Sequence, residues 1–393
     1  MLDSIFIGMT GLNGFSKGLK VIANNTSNMN TPGFKSSTVQ FTNLYYGQNS
    51  DGNLGQGQAA FGHGLGGLST SINFATGELR QSGNPLDLAL DGGGFFTLKM
   101  KDGSFRYTRA GSFSFNADGV LIEKSSGAEV MARSDKGELG RISVDGMRTN
   151  PAKATTAVTF SGNLSTGTTE QTVSGVKVID MAGGEHNLSA KFTADATPAG
   201  SWTVTLSDAG VTVGTAKLVF AGGTPNAASQ KLNFTYTPPG LSPMVVSLAF
   251  GTDVTSYADG TRSTLTVAKQ DGYSVGTLTG VSFDAGGQVV MNYTNGQQVK
   301  GSRLQLARFQ SDDAVVAEGD RLFASTNDNA WITGYAQQPG FGAVKSGSLE
   351  LSNVNLSSEF SDLVIMQRGY QASSQVISTA NEMLQELFNM KNK

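Results

Sequence analysis

The sequence predicts a multi-domain, mainly β chain in which one β-rich domain is inserted in another and an α-helix at each end pairs in a coiled-coil manner. Three observations predict it. Helix-spaced apolar residues are confined to the two ends of the chain. Alternating apolar and polar residues with glycine-bearing turns fill the sequence between them. Composition also shifts near residues 144 and 270, so that one β stretch interrupts another. The resulting division is a terminal helical domain at 1–30 and 356–393 and a linking and packing segment at 31–60. A middle β domain follows at 61–143 and 271–355, with an inserted β domain at 144–270.

At the N-terminal end, apolar residues recur at Leu2, Ile5, Met9, Leu12, Leu19 and Ile22, three and four apart with Ser16 in the gap. That spacing makes one helical stripe. Thr31-Pro32-Gly33 ends the helix, because Pro32 disfavours the helical conformation for Thr31. Residues 36–60 are rich in Gly, Asn, Gln and Ser, yet Phe41, Leu44, Tyr45 and Tyr46 cluster there. A plain linker lacks such aromatics, so the segment is expected to pack where a surface is offered.

In the middle domain, Phe105 and Tyr107, then Phe113 and Phe115, flank Arg109-Ala110-Gly111 in a hairpin-like pattern. Asn116 to Gly119 and Asp284 to Gly287 are turn clusters between apolar alternations. The inserted domain is Thr-, Ser-, Ala- and Gly-rich. Its strand-like runs, among them 202–206, 232–236 and 245–250, recur at intervals that predict a sandwich or barrel.

The C-terminal end carries the sharpest periodicity. Leu356, Leu363, Tyr370, Ile377 and Leu384 fall every seventh residue, and Met366, Ala380 and Leu387 lie three beyond members of that row. A helix of about 33 residues would be roughly 50 Å long at 1.5 Å per residue. Sustained heptads favour a helical seam with another helix over a cover for a small core, although an apolar stripe serves either purpose.

The chemistry-bearing residues are few. The 393 residues include 51 Gly against 9 Pro, a formal charge of -3 and no cysteine. Absent cysteine excludes disulfides, thiolate nucleophiles and Cys-ligated zinc, and no basic run marks a nucleic-acid surface. The two histidines, His63 and His186, cannot form a closely spaced metal pair. His63 lies in a GxGxxG match, but a Gly/Gln loop precedes it and an alternating strand follows, so a turn is the better reading. Asp87, Asp91 and Asp312-Asp313 read as turn or solvated residues, and Asp271-Gly272-Tyr273 as a turn. No catalytic, cofactor-binding or metal site is expected, and no run of about 20 apolar residues suggests membrane insertion. The first residues also lack a basic region and an unbroken apolar core, which on secretory-signal rules alone reads as a cytosolic protein.

Four motifs change that reading. ANNTSNMNTPGFK at residues 23–35 resembles the signature that closes the N-terminal helix of flagellar rod and hook proteins. RGYQASSQVISTANEML at 368–384 resembles their C-terminal signature. GNPLDLAL at 83–90, followed by Gly94-Phe95-Phe96, is similar to their middle-domain motif. Gly272-Tyr273 to Gly276, with Leu278 to Val281, resembles the start of a return strand in hook proteins. Gly369 and Ser373 stand where the family more often has Ala and Asn, and Gly369 is expected to loosen the helix by about 1 kcal/mol.

The resemblance implies a structural subunit of the flagellar hook, a curved hollow tube acting as a universal joint from rod to filament. Terminal helices would line the tube, the middle domain would form the next shell and the inserted domain the outside. The assembly residues it implies are Leu2, Ile5, Met9, Leu12, Leu19, Ile22, Asn24, Asn25, Asn28, Asn30, Gly33 and Phe34. At the other end they are Leu356, Leu363, Met366, Arg368, Tyr370, Gln371, Ile377, Ala380, Leu384 and Leu387. Implied partners are further copies in a helical homopolymer, distal rod proteins, the hook cap, the hook–filament junction protein and the type III export apparatus. Export by that apparatus needs no cleaved signal and would place the protein outside the cell, in the hook. A distal rod protein shares the terminal motifs but not a large insertion; a surface adhesin explains the Thr-rich domain but not the paired motifs. In a lone subunit the terminal stripes have no polymer neighbour to cover them, so the ends are expected to be partly disordered there.

Overall fold

The computed structural model describes residues 2–44, 46–47, 61–62, 64–134, 136–197, 200–311, 314–326 and 331–391. His63, Tyr45, residues 48–60 and Asp312-Asp313 lie outside them. The chain forms two compact units, one of Met1–Asp145, Val281–Met291 and Lys300–Lys393, the other of Gly146–Gly280 and Asn292–Val299.

In the first unit, helix α1 spans Leu2–Ser27 and helix α2 spans Leu356–Lys391. The end of α1 is set by asparagines: the backbone N–H of Asn28 donates to the carbonyls of Asn24 and Asn25, and its side-chain amide donates again to Asn24 O at 2.9 Å. Gly33 follows with φ +74°, and a Cβ there would lie 2.6 Å from the backbone nitrogen of Ala110, so the turn needs glycine on both counts. At the start of α2, Asn355 Oδ1 accepts from the backbone N–H groups of Ser357 and Ser358, capping donors that otherwise lack partners.

Two expectations for this unit need correction. Part of the supposed linker is a strand: Ser37–Asn43 runs antiparallel to Leu65–Ile72. Its Phe41 ring sits 5.7 Å from Phe15 of α1, which is the surface the aromatic needed. The hairpin about Arg109-Ala110-Gly111 is also absent. Phe105–Thr108 pairs with Phe95–Lys99 and Leu322–Ser325, whereas Phe113–Phe115 pairs with Leu121–Glu123. Arg109 turns inward to a buried carboxylate, and that demand separates the two strands. The real hairpin closes on the Asn116 to Gly119 turn. Phe74, Phe95, Phe309, Phe323 and Tyr107 make an edge-to-face aromatic cluster in the core of this β body, with Trp331 tilted against Tyr107.

The second unit is a sandwich of two sheets over one core. Glu170–Ile179, Glu185–Ala194, Ser201–Asp208, Val211–Ala221 and Thr224–Pro225 form an antiparallel sheet. Lys231–Tyr236, Met244–Thr255, Ala157–Asn163 and Thr266–Gln270 form the other, in which Ala157–Asn163 runs parallel to Met244–Thr255. Burial follows the pleat: Leu232, Phe234 and Tyr236 point in while Lys231, Asn233 and Thr235 point out. Phe160, Phe192 and Phe250 meet at the centre, each contributing about 1.5–3 kcal/mol by leaving water. Asp271 ties the first strand to the last. Its carboxylate accepts from the backbone N–H groups of Thr156 and Ala157, both at 2.8 Å, and from the Thr156 hydroxyl at 2.7 Å. Lys153 approaches to 3.3 Å.

Candidate functional site: a rooted helix pair

The helices of the first unit pair antiparallel, and glycine makes the contact on α1. A Cβ on Gly8 would stand 2.8 Å from Ile377 Cγ1, one on Gly11 2.8 Å from the Ser373 hydroxyl, and one on Gly18 2.8 Å from Met366 Sδ. In the reverse sense, Phe15 fills the space at Gly369, where a Cβ would come within 2.5 Å of its ring. Beyond these, Asn25 Nδ2 donates to Glu359 Oε1 at 2.9 Å. Gly8, Gly11, Phe15, Gly18, Ile22 and Asn25 therefore alternate three and four apart along one seam.

The predicted residues divide accordingly. On α2, Leu356, Leu363, Met366, Ile377, Ala380 and Leu384 lie toward the seam, Ala380 fully buried and the rest partly. Tyr370 and Leu387 of the same heptad rows stay exposed, Gly369 taking the place beside α1. The expected loosening at Gly369 gives way to a packing role. On α1, Ile22 is buried, but Ile5, Leu12 and Leu19 are only partly covered and Met9 is 58 % exposed. Leu2 opens α1. The apolar stripe is thus a second face beside the glycine seam. Phe6 and Ile7, together with Phe360, Ile365, Val376, Met383, Phe388 and Met390 on α2, are also exposed. Arg368, Gln371 and Asn30 are exposed as well.

Buried polar groups root the pair in its β body. Asn25, 1 % exposed, exchanges two hydrogen bonds with the backbone of Ser37, donating to its carbonyl at 2.8 Å and accepting from its N–H at 3.0 Å. A second node lies at Glu350, which is fully buried. One carboxylate oxygen accepts from Lys35 Nζ at 2.6 Å and from the backbone N–H of Gly77 at 2.9 Å; the other meets Arg109 Nη1 at 3.3 Å. Arg109 also donates to Gly92 O at 2.8 Å and lies over the Phe95 ring, and Lys35 donates to Ala75 O at 2.7 Å. Asn353 completes the frame, accepting from the Ser36 N–H and donating to the carbonyls of Asn73 and Ala75.

These environments shift protonation equilibria. Burial pulls Lys35 below the usual ammonium range; Glu350 opposes the shift and the Arg109 charge reinforces it. Burial likewise pulls Arg109 down against Glu350. Burial raises Glu359, opposed by the Asn25 hydrogen bond and assisted by the Asp362 charge. Next to the root, Asn24, Asn28, Gly33 and Phe34 line a cavity of about 490 Å³ with Asp320 and Arg321.

The sequence reading missed Gly8, Gly11, Gly18, Arg109, Glu350, Asn353 and Glu359. Single charges set between apolar strand residues, as in Tyr107-Thr108-Arg109-Ala110 and Leu349-Glu350-Leu351, are the signal that could have found two of them. Asp87 is buried, not solvated, and accepts from Asn84 while pairing with Lys124 at 3.4 Å. Among the described residues no group of His, Asp and Glu could hold a metal, and no helix is long and apolar enough to cross a membrane.

Comparison with known proteins covers the helix pair and what lies between. The model described as "Flagella basal body rod protein" matches residues 5–35, "Flagellar hook protein FlgE/F/G D1 domain" matches 89–166, and "Flagellar basal body rod FlgEFG protein C-terminal" matches 345–390. Flagellar hook protein FlgE of Escherichia coli is 29 % identical, with 98 % of each chain covered. That of Borreliella burgdorferi is 27 % identical, with 100 % of each covered. The crystal structure of Helicobacter pylori flagellar hook protein FlgE2 shares the fold, with a TM-score of 0.50 at 12 % identity over 69 % of this chain and 100 % of that one. With a rod-family motif on each helix, a hook-family domain between them and hook proteins matching from end to end, the chain belongs to the flagellar hook and rod family of axial proteins.

Proposed function

We propose that this chain is the structural subunit of a bacterial flagellar hook, polymerising into a curved hollow tube that transmits torque. The observation that carries the reading is the two-faced helix pair, in which α1 places glycines on the seam while both helices leave further large apolar residues exposed outside it. Such rows are stable in water only where another surface covers them, and further copies of the chain offer the same rows. Met9, Leu12 and Leu19 of α1 and Val376, Met383 and Leu387 of α2 would then be the inter-subunit contacts. The full-length likeness to hook proteins favours the hook over the distal rod, since it includes the inserted sandwich.

The finer organisation belongs to the same proposal. The helical domain at 1–30 and 356–393 would line the tube, the middle domain at 61–143 and 271–355 would surround it, and the insertion at 144–270 would lie outside. The junctions between domains would flex. Export through the flagellar type III apparatus without a cleaved signal fits an absence of cysteine, because no wrong disulfide can trap the chain. Distal rod proteins, the hook cap and the hook–filament junction protein would be its neighbours.

Electron microscopy of purified protein after salt-induced polymerisation tests the reading. Curved hollow tubes are expected. Short straight tubes would assign the chain to the rod, and a monodisperse monomer at all salt concentrations would refute an axial role.

A further inference from the structure

Two arginines in the first unit stand directly opposite each other across a pair of strands, with no carboxylate paired to either among the described residues. Arg133, in Glu129–Arg133, is the register partner of Arg303, in Gln298–Leu304. Directly opposed side chains have Cβ atoms about 4.5–5.5 Å apart, and like charges there are destabilising. Neither guanidinium forms an ion pair among the described residues. The nearby carboxylate of Asp284 accepts from the Gln288 N–H and pairs with Lys300 at 3.6 Å.

The guanidiniums are held from behind. Arg133 Nε donates to Gln305 Oε1 at 3.0 Å and its Nη1 to Gly137 O at 3.1 Å. Arg303 Nε donates to Gly286 O at 2.8 Å, and its guanidinium lies 5.3 Å over the Tyr335 ring. Both terminal nitrogens of Arg303, and Nη2 of Arg133, have no acceptor among the described residues. Both arginines line one pocket of about 220 Å³ with Ser134, Gln288 and Tyr335. That volume is below the roughly 300–1,000 Å³ of a small-molecule cleft. It suits one small ion.

We propose that this pocket is an oxyanion site in which Arg133 and Arg303 jointly bind a phosphate, a sulfate or a carboxylate. Guanidinium forks bind such groups through paired charge-assisted hydrogen bonds, and one anion would satisfy the idle donors and cancel the cross-strand repulsion. Two sources share this chemistry: a free ion, or an acidic side chain presented by a second copy of the chain. The free-ion arm of the test is independent of the hook reading; the second-copy arm rests on it.

The test uses full-length monomer in which Trp202→Phe leaves Trp331 of this unit as the fluorescent reporter. Thermal unfolding is followed in chloride and in 20 mM phosphate at matched ionic strength, for this background, Arg303→Gln and Arg133→Gln. Circular dichroism establishes that each variant folds. In chloride the single variants should unfold no earlier than the background, because one repelling charge is gone. If a free ion occupies the site, phosphate should raise the background midpoint by about 2 °C, and the variants by less than half of that. If a second copy supplies a carboxylate, phosphate should leave the monomer midpoint unchanged, and either variant should raise the critical concentration for polymerisation about tenfold. Equal phosphate shifts in background and variants would be the general salting effect of the ion and would overturn the site. So would a phosphate-insensitive monomer whose variants polymerise normally.

Discussion

Replacing Glu350 by Ala is expected to unfold the root of the helix pair more than any single truncation in an aliphatic part of the β body. The carboxylate is the sole anion paired with Lys35 and Arg109 among the described residues, and all three side chains are buried to 3 % exposure or less. Removing one partner of a buried pair leaves an uncompensated charge and costs about 3–5 kcal/mol. Here two cations are left, although Lys35 escapes part of the penalty because burial already favours its neutral form. Arg109 has no such escape, since its guanidinium stays charged. Urea unfolding in the Trp202→Phe background, read through Trp331, reports this unit alone. At an m-value of about 2–3 kcal/mol/M the midpoint should fall by about 1–2.5 M. Glu350→Gln should fall nearly as far, because an amide keeps the Gly77 hydrogen bond but not the charge. Lys35→Met should cost less than either, leaving one cation for one anion. A loss below about 1 kcal/mol for Glu350→Ala would mean that water or rearrangement already neutralises the node, and the argument for a rigid root would fail.

Other substitutions separate the seam from the outer faces. Gly18→Leu must displace Met366 and should destabilise the helix pair by about 1–3 kcal/mol, measured as lost helical ellipticity on mild heating. Met9→Asp acts on a side chain that is 58 % exposed, so monomer unfolding should not change while pelleting of polymer is abolished; loss of monomer stability would place Met9 inside the subunit fold. In the second unit, burial alone would raise the Asp271 carboxyl, but the N–H groups of Ala157 and Thr156, the Thr156 hydroxyl and Lys153 outweigh it and hold it down at about 2. A lowered carboxyl contributes stability above its unfolded pKa and loses it as pH falls through the folded one. The sandwich should therefore lose about 1–2 kcal/mol between pH 4 and pH 2, allowing for solvent screening of a partly exposed group. Asp271→Asn should flatten that dependence, read through Trp202 with Trp331→Phe.

What the sequence disclosed depended on side-chain size. The α2 heptad was legible because Leu356, Leu363, Met366 and Ile377 are both large and on the seam. The α1 seam was not, since Gly8, Gly11 and Gly18 carry no hydrophobic signal, and the visible row of Ile5, Met9, Leu12 and Leu19 marks a different face. Pleated alternation from Lys231 to Tyr236 identified its strand directly. The root was hidden by distance along the chain: Glu350 lies 315 residues from Lys35 and 241 from Arg109. No local pattern encodes a partner that far away. Family resemblance did reach Asn25, which the structure shows bonded to both Ser37 and Glu359, but it gave no reason why an asparagine stands there.

That asparagine bears on how a hook could bend and still carry torque. A helix pair attached through one flexible strand would swivel on its β body, and torque would be lost in the swivel. Asn25 instead fixes the end of α1 to Ser37 and to α2 at once, while Glu350 and Asn353 fix the segments on either side of those points. Shear at this root would strip hydrogen bonds from groups with almost no access to water, each costing about 1–3 kcal/mol when unmet. Sliding the exposed apolar rows past a neighbour costs far less, because burial of apolar area is non-directional and one methyl contact replaces another. The compliant surfaces of a bending tube are therefore expected between subunits, along Met9, Leu12, Leu19, Val376 and Met383, and the rigid ones within each subunit at the root. A tube assembled from Asn25→Ala subunits should consequently form with ordinary affinity but transmit less torque per degree of twist, a difference readable as increased rotational compliance of tethered hooks.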